Sequence, residues 1–589
     1  MTRLLAAVAL GFCVTTLTAA EKPNVVLIVF DDAGQRDFGC YGSTYHKTPH
    51  IDALAAAGVR FTEATSASPV CSPSRVAILT GRHPVRYGLT DWVPGQPTRT
   101  GQRLVGPKNA TALPLAAVTA GELFRAAGYR TAHVGKWHLG GPGFAPTEQG
   151  FDLNVGGSAA GHPPSYFAPY GASITGLDAA AKGEYLTDRL TDEAVRFVGA
   201  EPGKPFFLCL AHYAPHTPLQ ARPEVVAKYA PGKPGAQGNP TYAAMIESLD
   251  DSIARVLRAL DAAKVADDTV VVLTSDNGGL ATLEGMARPA TFNGPHREGK
   301  GFLYEGGVRV PLLIRAPGVK PAVLAGAVDG IDLLPTLLDL CGVKADAKEF
   351  DGVSLAKVLH GTALPARSLV HFYPHYANQG GKPGVAIRRG DWKLVVDFET
   401  DRGELYDLKA DAGEGRNVAA ENAKVVQDLR GEIDAWVMSR GAKLPTPNPD
   451  YRPNPPDKDG VITLHARTAT VSGTQLRYEP LPHKNTLGYW VRVEDTAAFD
   501  FTATTPGAYT VEVLQGCGKG SGGSEVELSV GASKLTFAVK DTGGFQAFER
   551  RAVGTLTVEK GKQTLTVTPL KKPGAAVMDL REVVLRPAK

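Results

Sequence analysis

Four apolar runs in this chain each end in side chains that can do chemistry. After "VVLIVF" come Asp31 and Asp32, and after "VVVLTS" come Asp276 and Asn277. After "RTAHVG" come Lys136 and His138, and after "PFFLCLAHYAP" comes His216. Continuous β-branched and aliphatic runs of this kind read as strands buried on both faces. In an open α/β sheet, ligands bind beyond the carboxyl ends of the strands. If the strands run parallel, these groups share one crevice. Asp31, Asp32, Asp276 and Asn277 are hard oxygen ligands from two distant segments, suited to calcium or magnesium. Lys136, His138, His216, Arg75 and Lys300 are cations or proton carriers. A divalent metal beside several fixed cations describes a site for a tetrahedral anion ester, sulfate or phosphate.

Each piece has an ordinary explanation when taken singly. An Asp-Asp pair after a strand is commonly a turn or a helix cap, and "SDNGG" is a turn sequence. Cys71 could be a buried inert thiol. What favours a single site is the joint occurrence, since unrelated turns do not supply one complete set. Cys71 also lacks the usual roles. The chain has six cysteines, Cys13, Cys40, Cys71, Cys209, Cys341 and Cys517, and removal of the N-terminal leader leaves five. An odd, widely spread set is no disulfide framework, and its spacing does not suit zinc.

The elements that must position these residues can be read from the rest of the chain. Residues 1–20 have the form of a signal peptide, with a charged start at Arg3, a short apolar stretch and a small-residue cleavage site. No later segment has the length and apolarity of a membrane span. A periplasmic or secreted protein without an integral membrane segment is therefore expected. Lys+Arg 63 against Asp+Glu 60 leaves a net charge of only +3, so no nucleic-acid partner is expected and any anion site must be local. Residues 21–364 alternate strand-like and helix-like segments. The best helix, 241–264, carries an apolar stripe of Ile246, Leu249, Ile253, Val256, Leu257 and Leu260. Residues 365–443 read as short strands followed by one helix, a smaller subdomain. Residues 444–460 carry six prolines and read as a stiff linker. Residues 461–589 alternate with period two, as in an antiparallel β-sandwich. The fold class expected is α/β, a large mostly parallel mixed sheet flanked by helices, with a smaller antiparallel-sheet subdomain and a C-terminal sandwich.

From about Pro23 to Tyr451 the sequence resembles the formylglycine-dependent sulfatases, of the arylsulfatase type in the alkaline phosphatase superfamily. "CSPSRVAILTGRHPVRYG" is similar to the signature that directs oxidation of its cysteine to formylglycine. "GYRTAHVGKWHLG", "TSDNGG" and "GKGFLYEGGVRVP" are similar to further family blocks. The resemblance implies a role for each residue. Cys71 would become the formylglycine nucleophile through a formylglycine-generating enzyme, and Arg75 would hold it. Asp31, Asp32, Asp276 and Asn277 would bind Ca2+, with the modified residue 71 completing the shell. Lys136 and Lys300 would grip sulfate oxygens. His138 would support the aldehyde hydrate and its deprotonation, and His216 would protonate the leaving oxygen. The hydrate presents two hydroxyls on one carbon: one attacks sulfur, and loss of the other's proton later expels sulfate and restores the aldehyde. One mild departure is His50 in "TPHID", where the family usually has asparagine.

For the substrate, "HFYPHYANQGGKPGVAIRRGDWKL" reads either as a pocket wall presenting His371, His375 and Asn378 or as packing beneath the subdomain sheet. The C-terminal sandwich resembles carbohydrate-binding modules in "GAYTVEVLQGCGKGSGGSEVELSVG" and "DTGGFQAF", which implies a sulfated carbohydrate substrate; a purely structural sandwich is the other reading. Two rival functions remain open on the sequence. One is a phosphate or phosphonate ester hydrolase of the same superfamily, and the other a non-catalytic binder of sulfated glycans.

Overall fold

The run at the head of the domain, Asn24–Phe30 (β1), is a strand with all seven residues buried. Its neighbours are Phe206–Ala211 (β5) and Thr269–Ser275 (β6), both parallel to it. The computed structural model describes residues 22–588 apart from 172 and 178–180, so the signal peptide read at 1–20 lies outside the described residues. Among the described residues, the largest sheet has eight strands. The others are Val59–Phe61 (β2), Arg130–Gly135 (β3), Leu153–Val155 (β4), Leu312–Arg315 (β7) and Ala322–Leu324 (β8). Their order across the sheet is β8-β2-β7-β6-β1-β5-β3-β4. Every pairing is parallel except those of β7, which runs antiparallel to both β2 and β6. The expected large, mostly parallel mixed sheet is therefore present.

Alternation along β1 explains the layers. Val26, Ile28 and Phe30 face one core with Leu186–Gly199 (α2) and Pro240–Ala262 (α3). Val25, Leu27 and Val29 face the other, with Cys71–Thr80 (α1) and Leu333–Leu340 (α4). Covering both faces is what permits an uninterrupted apolar strand. The stripe read on 241–264 matches α3: Ile246, Leu249, Ile253, Val256 and Leu260 are fully buried. Burial of each such side chain contributes about 1.5–3 kcal/mol.

A second sheet follows, of Ser368–Tyr373, Gly384–Arg389, Trp392–Asp397 and Gly403–Asp407, antiparallel and in chain order. The helix Ala423–Arg440 packs on it through Leu429 and Ile433. Lys393 of this sheet is fully buried, and its ammonium lies 2.9 Å from Glu305 Oε1, in the short helix Glu305–Val308, and 2.9 Å from Glu414 Oε1. A buried cation is tolerable only with such paired, hydrogen-bonded partners.

The C-terminal part is two antiparallel sheets face to face. One runs Arg477–Glu479, Thr486–Gly488, Asp579–Pro587, Gly507–Cys517, Gly544–Val558; the other Thr470–Ser472, Thr496–Ala503, Gly561–Lys571, Glu525–Val530, Ser533–Ala538. Inward residues such as Phe499, Phe501, Val511, Val513, Leu528 and Val567 form its core. The Pro-rich segment lies against the first part of the chain. Thr446–Pro447 pairs with Leu104–Val105, and Arg103 bridges to Asp500 at 2.6 Å while stacking on Tyr451. Among the described residues, no helix is long and apolar enough to cross a membrane.

Candidate active site

β1, β3, β5 and β6 are mutually parallel neighbours, so their carboxyl ends open on one edge, and that edge gathers the predicted residues. Asp31 and Asp32 follow β1, Lys136 and His138 follow β3, His216 follows β5, and Asp276 and Asn277 follow β6. α1 brings Cys71 as its first residue, and all ten residues of this helix are buried. A helix start suits a nucleophile or an anion, because unpaired N–H groups and the dipole favour negative charge there.

The polar contacts are dense and interlocked. Lys136 Nζ donates to Asp31 Oδ2 at 2.7 Å. Lys300 Nζ lies 2.8 Å from Asp32 Oδ2 and 3.0 Å from His216 Nε2. Arg75 Nε donates to Asp276 Oδ2 at 2.9 Å, and its Nη1 donates to the Lys136 carbonyl at 2.7 Å. Asn277 Nδ2 donates to Asp32 Oδ1 at 2.8 Å. Two of these side chains sit on left-handed backbone, Asp32 at φ 68° and His138 at φ 58°. Non-glycine residues adopt that region at a cost and concentrate at functional sites.

Proton states follow from burial and neighbours. Burial pushes the Cys71 thiol up, with Lys136 and Lys300 opposing, so as a plain thiol it is a weak nucleophile. Burial and Lys300 hold His216 well below the usual imidazole range. Its Nδ1 lies 2.7 Å from the Thr217 carbonyl, so Nδ1 carries the proton and Nε2 accepts from Lys300. His138 is likewise held well down by burial and by Lys136. Its Nε2 donates to the Val93 carbonyl at 2.7 Å, which leaves Nδ1 buried and unpartnered, an available base. Gly161 closes over this ring: a Cβ there would stand 2.7 Å from His138 Cε1. Desolvation raises the Asp31 carboxyl well above its ordinary range despite Lys136, whereas Lys300 and His216 outweigh desolvation at Asp32 and lower it.

The donor set fits a hard divalent cation. Asp31 Oδ1 and Asn277 Oδ1 are buried oxygens without partners, and such atoms are costly unless something satisfies them. Asp31, Asp32 and His216 offer atoms that all lie within 4.8 Å of one another. Asp276, predicted in the same set, gives its carboxylate to Arg75 and to the Asp32 backbone N–H at 3.2 Å.

The three predicted substrate residues are spread out. His371 is buried in the second sheet with Asp329 Oδ2 at 3.4 Å, and it does not reach the carboxylate cluster. His375 hydrogen-bonds Thr90 Oγ1 at 2.8 Å, and burial pushes it down to about 4. Asn378 is exposed on a turn. Beside it, Gln379 bonds Glu284, and the Gln379 side chain lies against Gly301, next to Lys300. His50 pairs with Asp250 at 2.7 Å, and the same carboxylate accepts from the His50 and Ile51 backbone N–H groups, which caps the helix Pro49–Ala57. Sequence reasoning missed His162, whose ring stacks on His216, as well as Gln379 and Glu284. Glycine-rich neighbours around 156–161 were the only signal for a close approach there.

Comparison with known proteins agrees with this geometry. The profile of the Sulfatase family matches residues 23–343, and one described as N-sulphoglucosamine sulphohydrolase, C-terminal, matches 297–438. Human arylsulfatase A is 31% identical over 480 residues, spanning 72% of this chain and 90% of that protein. Human N-acetylgalactosamine-6-sulfatase is 34% identical over 440 residues, spanning 70% of this chain and 78% of that one. A solved structure of Ps i-CgsB in complex with k-i-k-neocarrahexaose superimposes with a TM-score of 0.60 at 31% identity, covering 71% of this chain and 93% of that chain.

Proposed function

This chain belongs to the sulfatase family and is a sulfuric ester hydrolase, and we propose that it acts on sulfated carbohydrate outside the cytoplasm, with Cys71 oxidised to formylglycine and Ca2+ bound. The observation that carries this reading is the setting of Cys71. It starts a buried helix, its thiol is held protonated by burial, and the charges of Lys136 and Lys300 act on it. A free thiol gains little from that setting, whereas an anion held on residue 71 gains a great deal.

The residues divide the work as follows. Asp31, Asp32 and Asn277 would hold the Ca2+, with Asp276 fixing Arg75 beside them; the ion would stabilise negative charge on the ester oxygens. The aldehyde hydrate would supply one hydroxyl for attack and a second whose deprotonation frees sulfate. Lys136 and Lys300 grip the anionic oxygens. His138 Nδ1 takes a proton from residue 71. The leaving oxygen needs a proton, and His216 in its protonated form would deliver it from Nε2, the atom that lies 3.0 Å from Lys300.

For organisation, we read 21–443 as one catalytic unit of two sheets, 444–460 as its tether, and 461–589 as a sandwich placed to meet the substrate. An exported route rests on the N-terminal leader pattern.

Peptide mass spectrometry of residue 71 from the native host, with parallel assays on aryl sulfate and aryl phosphate, tests the proposal. The expected result is an aldehyde at residue 71 and a strong preference for sulfate. A plain thiol in an enzyme active on sulfate would sink the mechanism, and preference for phosphate would sink the substrate.

A further inference from the structure

Beside the site, a cleft of about 420 Å³ opens between the catalytic unit and the C-terminal sandwich. Its walls come from three segments: Lys233 from one loop, Leu283, Arg288 and Phe292 from a second, and Leu481 with His483 from the sandwich. The walls approach closely at Gly235, where a Cβ would stand 3.4 Å from His483 Nε2. The size is that of small-ligand sites, roughly 300–1,000 Å³.

One wall of the cleft packs on the segment that carries Lys300. Ala281 lines it, and the Ala281 Cβ lies 3.0 Å from where a Cβ on Gly299 would sit, one residue before Lys300. The Gly279 carbonyl accepts from the Lys300 backbone N–H at 3.1 Å. On the rim, Glu284 follows Leu283, bonds Gln379 and feels the charge of Lys300. The stretch from Gly279 to Leu283 thus supplies both a wall of the cleft and the support beneath Lys300.

The chemistry of the lining is selective. Leu283, Phe292, Leu481 and Pro482 offer apolar faces for the C–H faces of a ring. Lys233, Arg288 and His483 are the titratable side chains, and no Asp or Glu lines the cleft among the described residues. The Arg288 guanidinium is anchored on the Gly238 carbonyl.

We propose that this cleft is a subsite for a neighbouring, negatively charged saccharide unit of the substrate, so that catalytic unit and sandwich bind one anionic oligosaccharide together. The proposal rests on the reading of the chain as a carbohydrate sulfatase. It assigns the sandwich a share in a subsite next to the chemistry, through Leu481–His483.

The test uses the full-length protein, the double variant Lys233→Ala/Arg288→Ala and the single variant His483→Ala. The substrates are an aryl sulfate, and hexasaccharides of carrageenan and chondroitin sulfate alongside their matched monosaccharide sulfates. The parent enzyme should prefer a hexasaccharide to its monosaccharide. The double variant should raise KM for that hexasaccharide about tenfold with kcat kept, the expected cost of losing charge-assisted contacts, and leave the aryl sulfate unchanged. Equal losses on aryl sulfate and hexasaccharide would overturn the subsite, as would a parent that releases sulfate yet shows no preference for any hexasaccharide. A parent that releases no sulfate at all contradicts the sulfatase reading instead. In that case calorimetric titration of the Cys71→Ala protein with the hexasaccharides decides the subsite: binding weakened by the double variant supports it, and binding that is absent or unaffected overturns it.

Discussion

The imidazoles of His162 and His216 lie face to face, with ring centroids 5.9 Å apart and planes 7° from parallel. His162 is on the exposed side of the pair, while His216 reaches inward to Lys300 and Asp32. The outer ring thus stacks over the inner one on its solvent side.

His162→Ala should lower kcat several-fold while the thermal transition stays put, since an exposed ring contributes little to the core. His162→Phe should restore most of the rate, because a flat apolar ring can stack in the same place. A Phe variant as slow as the Ala variant would mean that His162 acts through its nitrogens instead.

Arg75 and Asp276 form an ion pair sealed from solvent, with side chains 4% and 0% exposed. Arg75→Ala leaves a buried carboxylate without its partner, which costs roughly 3–5 kcal/mol. The thermal transition of the catalytic unit should fall clearly, and activity should vanish. Arg75→Lys, which cannot reproduce the two-directional contact to Asp276 and the Lys136 carbonyl, should recover part of the stability and little of the rate. Both are read by calorimetry beside an aryl sulfate assay.

Removal of divalent metal should destabilise the same unit. A bound cation would satisfy the unpartnered Asp31 Oδ1 and Asn277 Oδ1, and binding to the folded state alone raises stability by mass action. A chelator should lower the transition and Ca2+ should restore it. Asn277→Ala should blunt that response. An unchanged transition on chelation would count against a resident metal.

Asp579 gives a pH prediction for the sandwich. Burial and the nearby Glu479 raise its carboxyl to about 7 from the ordinary 3.8. A raised pKa means that the folded state holds a proton the unfolded chain releases. The contribution is fully present below the unfolded value and is lost as pH rises through about 7. The sandwich should therefore unfold at lower temperature at pH 8 than at pH 5. Asp579→Asn should remove much of that difference. Identical transitions for variant and parent at pH 8 would refute the assignment.

The contrast between His371 and His216 marks where sequence reading succeeds. His216 follows a buried strand, so the exit rule for open α/β sheets puts it at the carboxyl edge, where the structure has it together with Asp31, Lys136 and Asp276. His371 lies inside a strand, where parity decides the face. Parity turned it, with Tyr373, toward Asp329 and Asp91, and nothing local in "HFYPHY" states which face meets what. His162 sits in a loop between glycines and prolines, without periodicity or strand exit to flag it. The cleft at His483 joins segments about 250 residues apart, so no window of sequence contains it.

The sequence by itself determined the local elements and the chemistry they carry. Apolar runs of period one, two and 3.6 specify strands and helices, because side-chain direction repeats with backbone geometry. The spacing of Cys71, Pro73 and Arg75 is likewise a local property. Only the tertiary structure decided the partners: Lys136 on Asp31, Lys300 between Asp32 and His216, Arg75 on Asp276. Those choices depend on strand order and on desolvation, which set how strongly one charge feels another. Both come into being only when segments far apart in the chain are packed together.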